Sequence, residues 1–171
     1  MYEKTVYSCL YDVFGKWNDT IVYMQSAPGA GKSTLVEKLI DKAEDNNVSW
    51  EVCSADNYWI DKVTQEYKFD ITQLHKAHEY CKNQFIKALN IRTQLIIIDN
   101  TNVDLKAIRN YYDETIGYQY KIVRPNTPWY FDAEECFKKN THNVPLETIQ
   151  RMINSIKKFS LENVKADIIW I

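Results

Sequence analysis

Glycine and proline are scarce in this chain, four of each in 171 residues, which excludes a collagen-like or linker-dominated sequence. Cysteine is equally thin. Cys9, Cys53, Cys81 and Cys136 make no CxxC pair, and the three histidines are His75, His78 and His142, so no zinc-ligand spacing exists. His75 and His78 stand three apart on a helical stretch with no further ligand nearby. They read as surface or helix-packing residues, and the cysteines as free thiols of a reducing compartment. No stretch reaches the roughly 18 apolar residues of a membrane span, and charge and tyrosine interrupt the N-terminus where a secretory signal needs an apolar core. A soluble, cytoplasmic protein without a membrane partner is expected. Neither sign of charge dominates: a net charge of −2 disfavours non-specific coating of nucleic acid and leaves room only for a local basic groove.

What is present is ordinary globular material, 45% apolar and 26% charged, of a length suited to one domain over residues 1–171. A chain near 150 residues buries about 70% of its unfolded surface, so a core forms without disulfides or a structural metal. Apolar runs of strand type occur at Thr20–Gln25, Ser49–Ser54, Gln94–Asp99, Tyr118–Val123 and Ala166–Ile171. Stretches of helical period lie between them at Ser33–Asp45, Ile71–Asn90, Asp104–Ile116, Asp132–Asn140 and Leu146–Phe159. This alternation predicts an α/β fold: a doubly wound, mainly parallel five-stranded sheet with right-handed crossovers and helices on both faces. Leu95–Ile98 and Ile168–Ile171 are apolar without alternation and are expected near the sheet centre. Val6, Leu10, Val13 and Phe14 have helical spacing and predict an extra helix within residues 1–18 that caps the sheet.

The segment Ser26-Ala-Pro-Gly-Ala-Gly-Lys-Ser-Thr34 leaves a strand and enters a helix, the context a Walker A motif requires. Glycine belongs in such a loop because backbone N–H groups must close around phosphate oxygens with no side chain in the way, and the helix start adds its positive end. Gly29 and Gly31 are half of all the glycines in the chain. Pro28, Gly29, Ala30, Gly31, Lys32, Ser33 and Thr34 are therefore the expected nucleotide-binding residues, with Lys32 on the β and γ phosphates and the Ser33 hydroxyl on Mg²⁺. Ser26 stands where the consensus has its first glycine. An extended backbone there would tolerate serine; a positive φ would force the loop to rearrange.

In open α/β sheets ligands lie beyond the carboxyl ends of the strands. Two of these ends carry carboxylates. Asp56 follows the second strand and suits the general base that takes the proton of an attacking hydroxyl. Asp99 follows the third and has the placement of a Walker B acid on Mg²⁺. Asn100, Thr101 and Asn102 could hydrogen-bond substrate or fix the loop.

Together these segments resemble the P-loop polynucleotide 5′-hydroxyl kinases, the related kinase-like domains of ubiquitin-ligase-binding proteins and zeta-toxin-like P-loop kinases. The resemblance runs from Met24 to about Ile156. It rests on Ala27-Pro-Gly-Ala-Gly-Lys-Ser-Thr34, Ser54-Ala-Asp-Asn-Tyr58, Phe69-Asp70 with Ala77-His78, Asp99-Asn-Thr-Asn102, Thr127-Pro-Trp129, and Asn140-Thr-His-Asn-Val-Pro145 with Ile149-Gln-Arg-Met152. It implies ATP and Mg²⁺ as cofactors, Asp56 as catalytic base, Tyr58 and Trp59 beside the acceptor, and a helical lid over about residues 132–158. Lids of such enzymes carry an arginine that stabilises the transferring phosphoryl. Here the matching stretch reads Lys138-Lys139-Asn140, so Lys139 takes that role as a point charge or Arg151 does. Trp59 stands where phage members have an arginine for the acceptor phosphate; an aromatic there either stacks on a base or packs in the core.

The activity expected is transfer of the γ-phosphate of ATP to a nucleic-acid hydroxyl, the 5′ end of DNA or RNA being the simplest acceptor. The alternatives are a kinase of a nucleoside, a modified base or another small molecule, and a P-loop module that binds nucleotide without transfer.

Overall fold

A computed structural model describes residues 18–61 and 63–171. The expected helix within residues 1–18 lies outside the described residues. Five parallel strands form one sheet in the order β2-β3-β1-β4-β5: β1 Thr20–Met24, β2 Trp50–Cys53, β3 Leu95–Ile98, β4 Gln119–Arg124 and β5 Asp167–Trp170. The α/β expectation is met, with no antiparallel strand in this sheet. Among the described residues, five α-helices accompany the strands: α1 Lys32–Asp45, α2 Leu74–Asn90, α3 Leu105–Arg109, α4 Ala133–Lys139 and α5 Leu146–Lys157.

Alternation along β1 shows why helices must cover both faces. Ile21 and Tyr23 join a cluster with Phe85 and Cys81 of α2 and Ile108 of α3, while Val22 and Met24 join Leu35, Val36 and Leu39 of α1 on the other side. All five β1 residues and all four of β3 are buried, as both-face burial of Thr-Ile-Val-Tyr-Met and Leu-Ile-Ile-Ile requires. Each fully buried isoleucine contributes about 1.5–3 kcal/mol of transfer free energy. A third cluster packs Ala27 and Ala30 of the loop after β1 against Cys136 of α4 and Ile149, Ile153 and Ile156 of α5. The loop is thus clamped from one side by the α4–α5 pair.

Two expectations are corrected. The run Ile168–Ile171 lies in the edge strand β5, not at the centre, and Ile168 and Trp170 are exposed. An unbroken apolar run reports side-chain chemistry, whereas strand order is set by the crossovers. The helix expected over Asp104–Ile116 stops at Arg109 and gives way to a 3₁₀ turn at Glu114–Ile116. Asp113 caps that turn: its carboxylate accepts from Thr115 N, and its own N–H donates to the Tyr120 hydroxyl at 2.9 Å.

β1 lies between β3 and β4, and the chain leaves it toward α1 on one side while β4 follows on the other. That reversal opens a crevice at the carboxyl ends of β1, β2 and β3.

Candidate active site

The chain turns through the loop after β1 with Gly29 at φ 79° and Gly31 at φ 100°, left-handed values that L side chains rarely adopt. A Cβ on Gly29 would stand 2.0 Å from the Cys136 carbonyl oxygen of α4, so the close approach also demands glycine. Ser26 is buried and has no positive φ, so serine is tolerated there. Its N–H donates to the Thr101 carbonyl at 3.1 Å, and its hydroxyl has no partner among the described residues. Outer braces fix the loop: Trp129 Nε1 donates to Gly29 O (3.2 Å), Thr127 Oγ1 to Ala30 O (3.0 Å) and Tyr130 OH to Gln25 O (2.6 Å).

Gly31 precedes α1, whose start has neither a side-chain cap nor an acidic residue in its first turn. Its first amides are left for an anion, and the helix dipole favours one. Ser33 and Thr34 are exposed on this turn and line the cleft with Pro28, Gly29, Gly31 and Lys32. Ala30 is buried in the third core cluster instead. The glycine cradle and uncapped helix start fit a polyphosphate, and the exposed Ser33 hydroxyl is an oxygen donor of the kind Mg²⁺ takes.

Lys32 Nζ donates to Asp99 Oδ1 at 2.6 Å and to the Asp99 carbonyl at 3.3 Å. The phosphate loop and the β3 tip therefore meet through this pair. The Asp99 tip is tied to the β2 tip: Ser54 Oγ donates to Asp99 O (3.2 Å), Asp56 N donates to Ser54 Oγ (3.3 Å) and Ala55 N donates to Asn100 Oδ1 (3.0 Å).

Of the two roles open to the polar tripeptide after Asp99, the structure shows loop fixing for Asn102. That residue is buried at 2% exposure, and its Nδ2 donates to the carbonyls of Met24, Ile98 and Asn100. Asn100 lines the cleft, yet its amide is committed to Ala55 and the Cys81 sulfur; Thr101 also lines the cleft.

Asp56 opens a 3₁₀ turn, Asp56–Trp59, and faces a cleft of about 860 Å³ shared with the phosphate loop. Trp59 resolves toward packing: it is 5% exposed, edge-on to Tyr58 at 4.9 Å and to Phe69 at 5.1 Å. Tyr58 turns away from the cleft and donates to Gln73 Oε1. The aromatic surface offered to the cleft comes instead from Tyr67 and Phe69, followed by Ile71. Sequence reasoning assigned these no role, although apolar residues at 67, 69 and 71 alternate as an extended segment with one face toward a ligand would. Tyr67 OH donates to Asp56 Oδ1 at 3.3 Å; burial first, then the Asp56 charge, pushes its phenol up to about 12.

The remaining wall comes from α4, α5 and the loop between them. Lys139 lines the cleft with Nζ 4.6 Å from the Trp129 ring centroid, and Arg151 lines it from α5. Both cations proposed for the same role thus face the cavity that holds Lys32 and Asp56. Among the described residues no group of metal-binding side chains of the His/Cys/Asp/Glu kind clusters, and no helix is long and apolar enough to cross a membrane.

Comparison with known proteins gives a consistent lineage. The family model of an AAA domain matches residues 21–159. NEDD4-binding protein 2 of Homo sapiens is 32% identical over 141 residues, covering 81% of this chain and 8% of that protein. The 2′,3′-cyclic-nucleotide 3′-phosphodiesterase of Mus musculus is 23% identical over 146 residues, covering 81% and 31%. The chain therefore spans less than a third of the length of these curated relatives. In a structure of the Pnkp1/Rnl/Hen1 RNA repair complex, one chain superposes with TM-score 0.60 at 18% identity, over 82% of this chain and 45% of that one, a likeness of fold. On the family match, which spans most of the chain and agrees with the phosphate-loop motif and the sheet order, the chain belongs to the AAA-domain family.

Proposed function

We propose that this protein is an ATP- and Mg²⁺-dependent phosphotransferase whose acceptor is a nucleic-acid hydroxyl, the 5′-OH end of DNA or RNA. The observation that carries it is convergence: Lys32, Asp56, Lys139 and Arg151 come from four separate segments and line one cleft. When bound, the Mg²⁺-nucleotide supplies the transferable phosphoryl and neutralises part of its charge. The chain supplies the rest. The loop amides and Lys32 hold the polyphosphate, with Ser33 and Asp99 as the metal's oxygen ligands. Asp56 accepts the proton of the acceptor hydroxyl as the acceptor oxygen bonds to the γ-phosphorus and the bond from that phosphorus to the β–γ bridging oxygen breaks, releasing ADP. Lys139 or Arg151 faces the charge that develops on the transferring group. Phe69 is 53% exposed beside Asp56 and offers a face on which an unstacked terminal base can lie. A chain of the Pnkp1/Rnl/Hen1 RNA repair complex shares this fold.

One observation favours an uncharged nucleoside as the acceptor. The cleft that Asp56 lines also carries Tyr67, Phe69, Ile71, Leu74 and His78, a largely apolar and aromatic wall suited to a nucleoside base.

Incubation with γ-labelled ATP, Mg²⁺ and 5′-hydroxyl oligonucleotides, beside free nucleosides and hydroxymethylated DNA, separates these acceptors. Label on the oligonucleotide 5′ end, lost in Lys32→Ala and Asp56→Asn, is the expected result. Label on nucleosides alone moves the acceptor class. No label on any acceptor, with ATP still bound, reduces the protein to a nucleotide-binding module.

A further inference from the structure

We propose that Tyr67 is the positioning residue for the Asp56 carboxylate: its phenol holds one carboxylate oxygen, leaves the other for the acceptor hydroxyl, and couples both to the loop between α4 and α5. The proposal rests on Asp56 being the base, as set out above.

Tyr67 is eleven positions beyond Asp56 and reaches it because the intervening chain doubles back. An antiparallel bridge pairs Ile60 with Tyr67. Asp61 Oδ1 accepts from the N–H groups of Val63 and Thr64 at 2.9 and 3.0 Å, Asp61 N donates to Glu66 O at 2.9 Å, and Lys68 N donates to Trp59 O at 2.9 Å. The excursion therefore forms its own closed set of hydrogen bonds. Tyr67 is presented at a fixed place before any ligand arrives, so little entropy is left to lose when it acts.

A carboxylate has two oxygens and only acceptor capacity. Tyr67 occupies Oδ1 at 3.3 Å, and Oδ2 receives no hydrogen bond from the described residues. One oxygen is anchored and the other is free, which is the arrangement a base needs if its second oxygen is to take a proton from a defined direction. The phenol is itself held protonated by burial and by the Asp56 charge, so near neutral pH it donates and does not compete as a base.

Other ionisable groups in the vicinity are disposed differently. Lys32 is engaged with Asp99, and Lys68 pairs with Asp61 and Glu66. His78, Lys139 and Arg151 line the same cleft. Among the described residues, only His142 is in ring contact with Tyr67, at 5.3 Å between centroids and 45° between planes. His142 belongs to the loop joining α4, which ends at Lys139, to α5, which carries Arg151. That loop is internally fixed: His142 N donates to Asn140 Oδ1 (3.0 Å) and Asn140 Nδ2 donates to Val144 O (3.0 Å). One aromatic side chain thus touches the base through its hydroxyl and, through its ring, His142 of the loop that joins the cation-bearing helices.

The test uses Tyr67→Phe, which keeps the ring on His142 and removes the hydroxyl. In the ligand-free protein, with tyrosine labelled at Cζ, the NMR resonance absent from Tyr67→Phe belongs to Tyr67. Its titration is expected near 12 in wild type and displaced toward the ordinary value of about 10 in Asp56→Asn, since the carboxamide carries no charge. In turnover, Tyr67→Phe is expected to lower kcat roughly 10- to 100-fold, the worth of a hydrogen bond to a charged group, with KM for ATP unchanged. A Tyr67 phenol that titrates alike in wild type and Asp56→Asn overturns the proposal whatever the activity; so does an unchanged kcat in Tyr67→Phe. A wild type that binds ATP and phosphorylates nothing defeats the kinase function instead, while the titration still decides whether Tyr67 holds Asp56.

Discussion

Gly29 and Gly117 share a φ of 79°, but a Cβ on Gly29 would meet the Cys136 carbonyl oxygen at 2.0 Å, whereas one on Gly117 meets nothing within 4 Å. Alanine at the two positions separates backbone strain from steric exclusion. At Gly117 the cost is the left-handed conformation alone, about 1–2 kcal/mol. At Gly29 the same strain is joined by an overlap with backbone that cannot rotate away, since the carbonyl belongs to α4 and α4 is anchored by Cys136 and Ala133 in the third core cluster. Overpacking of that kind adds about 1–3 kcal/mol. With roughly 2–4 °C per kcal/mol for a domain of this size, Gly117→Ala should lower Tm by about 2–8 °C and Gly29→Ala by about 4–20 °C. Gly29→Ala should also weaken Mg²⁺-nucleotide binding, while Gly117→Ala should not. Thermal unfolding by circular dichroism and nucleotide titration followed by tryptophan fluorescence measure both, the Trp129 indole being bonded to Gly29 O. Equal Tm shifts and equal nucleotide affinities in the two variants would refute the claim that close approach, and not φ alone, requires Gly29.

Asn102→Ala removes two buried hydrogen bonds, to Met24 O and Ile98 O, that join the ends of β1 and β3, and a part-buried one to Asn100 O, and should cost about 2–5 kcal/mol in urea unfolding with m unchanged; a loss under 1 kcal/mol would contradict the staple role. Asp61, Asp70 and Asp113 have carboxyls held below the usual range, chiefly by amide and hydroxyl donors of their own turns. Their contribution is complete above the unfolded value of about 3.9 and is lost as pH falls through the lower folded values, so the urea midpoint should drop on acidification and drop less in the triple Asn variant. Equal slopes would exclude these turns as the cause. Burial pushes the Cys136 thiol up to about 11, so at pH 8 its peptide should escape iodoacetamide in the native protein and be labelled in urea; native labelling would contradict its burial.

Much of the fold was legible because both-face burial leaves a local imprint. Leu95–Ile98 reads as a buried strand and is one, and α1 and α5 show their apolar stripes at Leu35, Leu39 and at Ile149, Ile153. The phosphate loop was legible for a different reason: a backbone that must wrap an anion forces glycine at fixed positions. The same local logic misplaced Ile168–Ile171, because β5 shares the chemistry of a central strand without its neighbours. It also overran α3, which gives way to a turn capped by Asp113, whose N–H is held by the Tyr120 hydroxyl.

The sequence by itself determined the α/β class, the Walker loop and the two carboxylates at strand ends, since each is written in contiguous residues whose spacing carries the physics. Only the tertiary structure decided which aromatic rings face the cleft. Tyr58 and Trp59 adjoin Asp56 in the chain yet turn to Gln73 and the core, while Tyr67, Phe69 and His142 come from farther away to stand around it. A side chain's direction in a 3₁₀ turn and the folding back of a ten-residue excursion depend on long-range packing and hydrogen bonds, which no local spacing encodes.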